Sequence, residues 1–117
     1  MIQLSYAALN LISLNRGGSN LLRGKQRSYL KKLAHNIDPI FQVGKNGISD
    51  SFLEQLEQAL EARELVKVKV LDNSFLDATA VASEIVDSIN AEFVQSIGNK
   101  FVIYRESKEN PKIILPK

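Results

Sequence analysis

Cysteine is absent from this 117-residue chain, tryptophan is absent, and histidine occurs once. Without thiols, neither a disulfide framework nor a thiolate metal site can form, and a cytoplasmic, reducing location is expected. With His35 alone, and no serine in a nucleophile-elbow context, nucleophilic catalysis has little to build on. The Gly44-Lys45 pair lacks the spacing and trailing Gly-Lys-Ser/Thr of a phosphate-binding P-loop. Long apolar runs are missing too. The first twenty residues (MIQLSYAALNLISLNRGGSN) are fairly apolar, but Gln3, Ser5, Asn10, Ser13 and Asn15 interrupt them and no basic residue precedes them. They are too short and polar to span a bilayer and make a poor secretory signal. No membrane partner is expected. Gly17-Gly18-Ser19-Asn20 reads as a break, so residues 1–20 are expected to form a flexible extension outside the fold.

What is present suits one globular domain, with 44% hydrophobic and 24% charged residues. A net charge of +2 conceals blocks of alternating sign. Residues 21–48 carry Arg23, Lys25, Arg27, Lys31, Lys32 and Lys45 against Asp38 alone. Residues 49–64 reverse this, with Asp50, Glu54, Glu57, Glu61 and Glu64 against Arg63, and residues 71–97 hold acids and no base. Such asymmetry points to one face for an anionic partner and another kept away from it.

Leu30, Leu33, Ala34 and Ile37 recur at helical spacing and predict a first helix over residues 25–36, ended by Asp38-Pro39. Residues 40–43 read as a short strand running into Gly44-Lys45-Asn46-Gly47. A second helix is expected to about Ala62, with Ser49, Asp50 or Ser51 as cap and Leu53, Leu56 and Leu60 facing the core. Residues 65–70 alternate as a half-buried strand. A third helix is expected over residues 77–88. The runs EFVQSI and KFVIYR then flank Gly98-Asn99 as a hairpin. The expected fold is a two-layer α/β sandwich, α-β-α-β-α-β-β, with a mixed four-stranded sheet. Residues 21–106 form the expected domain, and residues 107–117, with Pro111 and Pro116, read as a tail.

The Gly44–Gly47 loop lies between a strand and a helix N-terminus. Its glycines let the backbone turn and let another backbone approach, while the helix start offers free N–H groups to a phosphate. A four-residue G-x-x-G of this kind clamps RNA backbone in KH domains. Lys45 adds a cation. Lys25, Ser28 and Lys32 occupy the outward face of the first helix, and Arg27 and Lys31 flank its apolar stripe, with Arg23 at the entrance. Backbone-phosphate contacts position a protein rather than read sequence. Candidate stacking groups are few: Tyr29, Phe41, Phe52 and Tyr104, with Phe41 and Phe52 better suited to the core. Glu54, Glu57 and Glu61 share a helix face, which reads as a solvated surface rather than a metal site. No enzyme activity, cofactor, metal or small-molecule substrate is expected.

The stretch LRGKQRSYLKKLAHNIDPIFQVGKNGIS, then ALEARELVKVKVL, then VQSIGNKFVIYR, resembles the CRM domain (chloroplast RNA splicing and ribosome maturation), especially its stand-alone bacterial YhbY-type members. The resemblance runs from about Leu22 to Arg105. It implies a fold similar to the C-terminal domain of translation initiation factor three. It also implies RNA binding through Gly44, Lys45, Asn46 and Gly47 together with the basic first helix, and association with precursor large-subunit rRNA or a pre-ribosomal particle during ribosome assembly. Arg23 departs from the family pattern, standing where many relatives have Thr or Ser. Two other readings remain open: an adaptor that binds a basic protein through the acidic helices, and a small nucleotide-handling enzyme using Gly44–Gly47 as a phosphate cradle.

Overall fold

The computed structural model describes residues 22–44, 47–71 and 77–117. The extension expected over residues 1–20, and Lys45 and Asn46 of the loop, lie outside the described residues. The elements are α1 (Gly24–Ala34), β1 (Phe41–Val43), α2 (Asp50–Arg63), β2 (Leu65–Val70), α3 (Ala78–Ile89), β3 (Glu92–Ile97) and β4 (Lys100–Tyr104). Their order is the expected one, and they form a four-stranded sheet in the order β1-β2-β4-β3. β1 runs parallel to β2, and the other pairs are antiparallel.

Local chemistry explains where the elements begin and end. α1 tightens at its end, where the N–H groups of His35, Asn36 and Ile37 each reach back three residues. Ser49, rather than Ser51, caps α2, its hydroxyl accepting from the Phe52 N–H at 3.1 Å. Asp77 caps α3 through Ala80 N–H. At the hairpin, Gly98 alone of the two turn residues takes positive φ, at +60°. Its place at the first turn position suits a primed turn that follows the strand twist.

Each face of the sheet carries a hydrophobic cluster. Val66, Val68 and Val70 of β2, with Phe101 and Ile103 of β4, meet the stripes of α2 (Leu53, Leu56, Leu60) and α3 (Val81, Ala82, Ile85, Ile89). The alternate side chains Leu65, Val102 and Tyr104, with Val94, meet Leu30 and Ala34 of α1 on the opposite face. The helices are thus distributed over both faces, with α1 adding a layer on the far side of the sheet.

The C-terminal segment, which reads in the sequence as a tail, is docked. Ile113 and Leu115 pack beside α1. Glu64, fully buried at the end of α2 with φ +67°, accepts hydrogen bonds from the N–H groups of Ser107, Lys112 and Ile113, each at 2.8 Å. Its own carbonyl accepts from Arg105 N–H at 2.9 Å. Glu61 takes the Arg105 guanidinium at 2.7 Å, the Ser107 hydroxyl, and the N–H groups of Lys108 and Glu109. Two glutamates therefore gather the chain that follows β4.

Candidate nucleic-acid interface

The Gly44–Gly47 loop begins where β1 leaves the sheet edge. The Gly47 N–H closes onto the Gly44 carbonyl at 2.9 Å, a tight turn. Gly47 adopts φ +73°, a conformation that costs an L-residue roughly 1–2 kcal/mol. A Cβ on Gly44 would instead meet only Leu71 Cδ1, at an ordinary 3.5 Å. Gly47→Ala is therefore expected to lower stability by about 1–2 kcal/mol, and Gly44→Ala by much less. Thermal melts of the two variants check this, and equal losses would contradict it. Two residues after Gly47, Ser49 caps α2, so the loop leads directly into a helix N-terminus.

On α1, Lys25, Lys31 and Lys32 are exposed, as is Arg23 at the N-cap position. Arg23 makes no side-chain cap; Gln26 instead folds back to accept its N–H at 3.0 Å. Arg27 is partly committed, since its Nε donates to the Phe93 carbonyl of β3 at 3.2 Å. Arg27, Lys31 and His35 recur every four residues and so share one side of the helix. The other side is taken up by the C-terminal segment, where Gln26 Nε2 donates to the Pro116 carbonyl.

The other sequence candidates fall to the core or to the clamp. Phe41 and Phe52 meet edge to face at 5.7 Å and pack against the α2/α3 cluster. Tyr104 is buried, and burial, with Glu64 and Glu106 nearby, pushes its hydroxyl up to about 12. Tyr29 stays 37% exposed and remains available for stacking. Glu61 is engaged by the C-terminal segment. Among the described residues no group of three His, Asp or Glu side chains could hold a metal, and no helix is long and apolar enough to cross a membrane.

α1 and the loop are not in one place. α1 lies on a sheet face, whereas the loop extends from the far end of β1. Between them the sheet itself presents cations, which the alternation of residues 65–70 shows only as part of a half-buried strand. Lys67 and Lys69 point to the same face as Val102 and Tyr104, by strand alternation, and Lys69 stands directly opposite Lys100. Lys67 and Lys100 line a cleft of about 260 Å³ with His35, Gln95, Ile97, Asn99 and Val102. Lys67 and Lys69 show in the sequence, but their convergence with Lys100 depends on a strand register that the sequence does not display.

The profile of the CRS1 / YhbY (CRM) domain matches residues 22–105. The chain belongs to this family. The match takes in α1, the glycine loop and the whole sheet. A Bacillus subtilis protein named "Probable RNA-binding protein YqeI" is 50% identical over 96 residues, covering 82% of this chain and 100% of its own length. A Haemophilus influenzae relative named "RNA-binding protein" is 40% identical over 96 residues, covering 82% of this chain and 96% of its own. The solution structure of the Staphylococcus aureus hypothetical protein SAV1595 superposes with a TM-score of 0.69 at 53% identity, covering 82% of this chain and 100% of the other.

Proposed function

We propose that this CRM protein is a non-enzymatic RNA-binding factor that grips phosphates with the Gly44–Gly47 loop and the basic face of α1. The observation that carries the reading is the positive-φ turn at Gly47, opening onto the capped start of α2. Arg23, Lys25, Arg27, Lys31 and Lys32 stand on the preceding helix, and Lys45 and Asn46 complete the set. The names of the relatives support the same reading. Precursor large-subunit rRNA, met in the cytoplasm during ribosome assembly, is the proposed target. An adaptor role through the acidic helices has less behind it, because Glu61 and Glu64 of α2 and its cap are spent on the chain's own C-terminal segment.

The test is fluorescence-anisotropy binding to structured large-subunit rRNA fragments. Lys45→Glu is expected to weaken binding by about tenfold or more, since it removes one phosphate contact and adds a repulsion. Binding that is tight in both proteins would place the grip elsewhere. RNA-independent capture of a basic protein, surviving nuclease treatment and Lys45→Glu, would favour the adaptor.

A further inference from the structure

The sheet face that carries α1 is covered over only part of its length. Strand register arranges its side chains in rows. Leu65, Tyr104 and Glu92 form the row at one end, and Leu65 and Tyr104 are buried. At the other end the row is Gln42, Lys69, Lys100 and Ile97, one residue from each strand. Gln42 and Lys100 are exposed there, and Ile97 is 63% exposed. The cleft described above lies between this row and α1, with His35 at the helix end. No acid lines it.

The lysine pair is the informative feature. Like charges directly opposite each other on antiparallel strands are destabilising. Among the described residues neither Lys69 nor Lys100 has an ion-pair partner. An anion seated between them would relieve that repulsion. Around it stand the amides of Gln42, Gln95 and Asn99, which can both donate and accept, and the apolar side chain of Ile97. In a duplex the base faces are stacked and the pairing edges are occupied, so this combination of groups matches an unpaired strand. At about 4.8 Å between neighbouring strands, the row spans roughly 14 Å of sheet. It starts at Gln42, two residues before Gly44, so the row adjoins the glycine loop.

We propose that this open strip seats an unpaired stretch of the bound RNA, with phosphates at Lys69, Lys100 and Lys67 and a base against Ile97. The proposal deepens the RNA-binding reading and rests on it. It assigns the strip to single-stranded RNA, while the loop and α1 hold backbone irrespective of pairing.

The test compares an oligouridine of about six nucleotides, a length within the range single-strand sites accept, with a fully paired RNA hairpin stem. The variants are the double substitution Lys69→Ala/Lys100→Ala and, separately, Ile97→Ala, with Lys45→Glu alongside. The double variant is expected to bind oligouridine at least tenfold more weakly. The slope of its log affinity against log salt should be shallower by about 1.4, the value for two phosphate contacts to a single strand. Ile97→Ala should lose severalfold on oligouridine, and both should bind the stem within twofold of wild type. Relief of the lysine repulsion should leave the double variant's melting temperature unchanged or raised, which separates loss of binding from loss of fold. Wild-type affinity for oligouridine in both variants, with Lys45→Glu still weakening the rRNA fragments, would overturn the strip and leave the loop reading standing. Equal losses on oligouridine and stem would also overturn it, as plain electrostatics without selection for unpaired RNA. Failure of the wild type to bind any RNA would instead remove the reading beneath it.

Discussion

Replacing Glu64 with alanine is expected to destabilise the protein by about 3 kcal/mol and to free the segment after Arg105. The carboxylate is fully buried and receives three backbone N–H groups, from Ser107, Lys112 and Ile113. Hydrogen bonds to a charged group contribute about 1.5–3 kcal/mol each, although the N–H groups regain water when the segment lifts, so the net loss is smaller than their sum. Glu64 also holds a positive φ of 67°. A non-glycine residue persists there because its surroundings over-determine it. Urea unfolding of wild type, Glu64→Ala and Glu64→Gln measures the effect, with the glutamine variant also destabilised because its neutral amide replaces a charged acceptor. A loss below about 1 kcal/mol in Glu64→Ala, the value of an ordinary neutral hydrogen bond, would show that the segment is anchored elsewhere.

The same clamp sets an acid response. Burial pushes the Glu64 carboxyl up, but the N–H groups of Ser107, Ile113 and Lys112 outweigh it and hold the group below its ordinary value. Glu61 is held at about 2 by the N–H of Lys108, the Ser107 hydroxyl and the N–H of Glu109, with help from Arg105. Because both groups titrate lower in the folded than in the unfolded chain, their contribution is complete above the ordinary 4.5. For Glu61 it fades as pH falls from there towards about 2, and for Glu64 it fades as pH falls below the ordinary value. Amide shifts of Lys108 and Glu109, which bond Glu61, should move together across that interval and stay constant above it, while those of Ser107, Lys112 and Ile113 should follow Glu64 below its ordinary value.

The second large effect concerns salt. A protein that neutralises about six RNA phosphates loses roughly a thousandfold in affinity between 50 and 200 mM salt. The proposed grip draws six such charges from Arg23, Lys25, Arg27, Lys31, Lys32 and Lys45, with Arg27 partly held by Phe93. The slope is expected to fall stepwise as these are replaced by alanine, by about 0.7–0.9 for each phosphate no longer neutralised, while stability stays near wild type. Arg27→Ala is the exception, since it also removes the bond from α1 to β3. Titrations at four salt concentrations read the slope, and a flat dependence would mean that apolar contacts or a protein partner dominate recognition.

The chain declares most of this fold because its local signals agree. The Leu53–Leu56–Leu60 stripe, the alternation of β2 and the Gly98-Asn99 turn each specify an element without reference to the rest. A stripe says that a helix is buried, but not against which face. The side of the sheet taken by α1 is therefore decided only by the complementary row of Leu65, Val102 and Tyr104. The docked C-terminal segment escapes sequence reading because its anchors are carboxylates 43 to 49 residues away, in a stretch that looks merely acidic. For the site, the glycine loop and basic helix are legible as motifs. The sheet lysines are not, since Lys69 and Lys100 become neighbours only when β2 pairs with β4.

Whether RNA lies along α1, the glycine loop and the adjoining sheet is read by titrating isotope-labelled protein with a structured rRNA fragment and following amide shifts. Perturbations are expected to concentrate on residues 23–35, on Gly44–Gly47 and on the row of Gln42, Lys69, Lys100 and Ile97, and to diminish as salt is raised. Shifts confined to the outer faces of α2 and α3, or none at all, would contradict it.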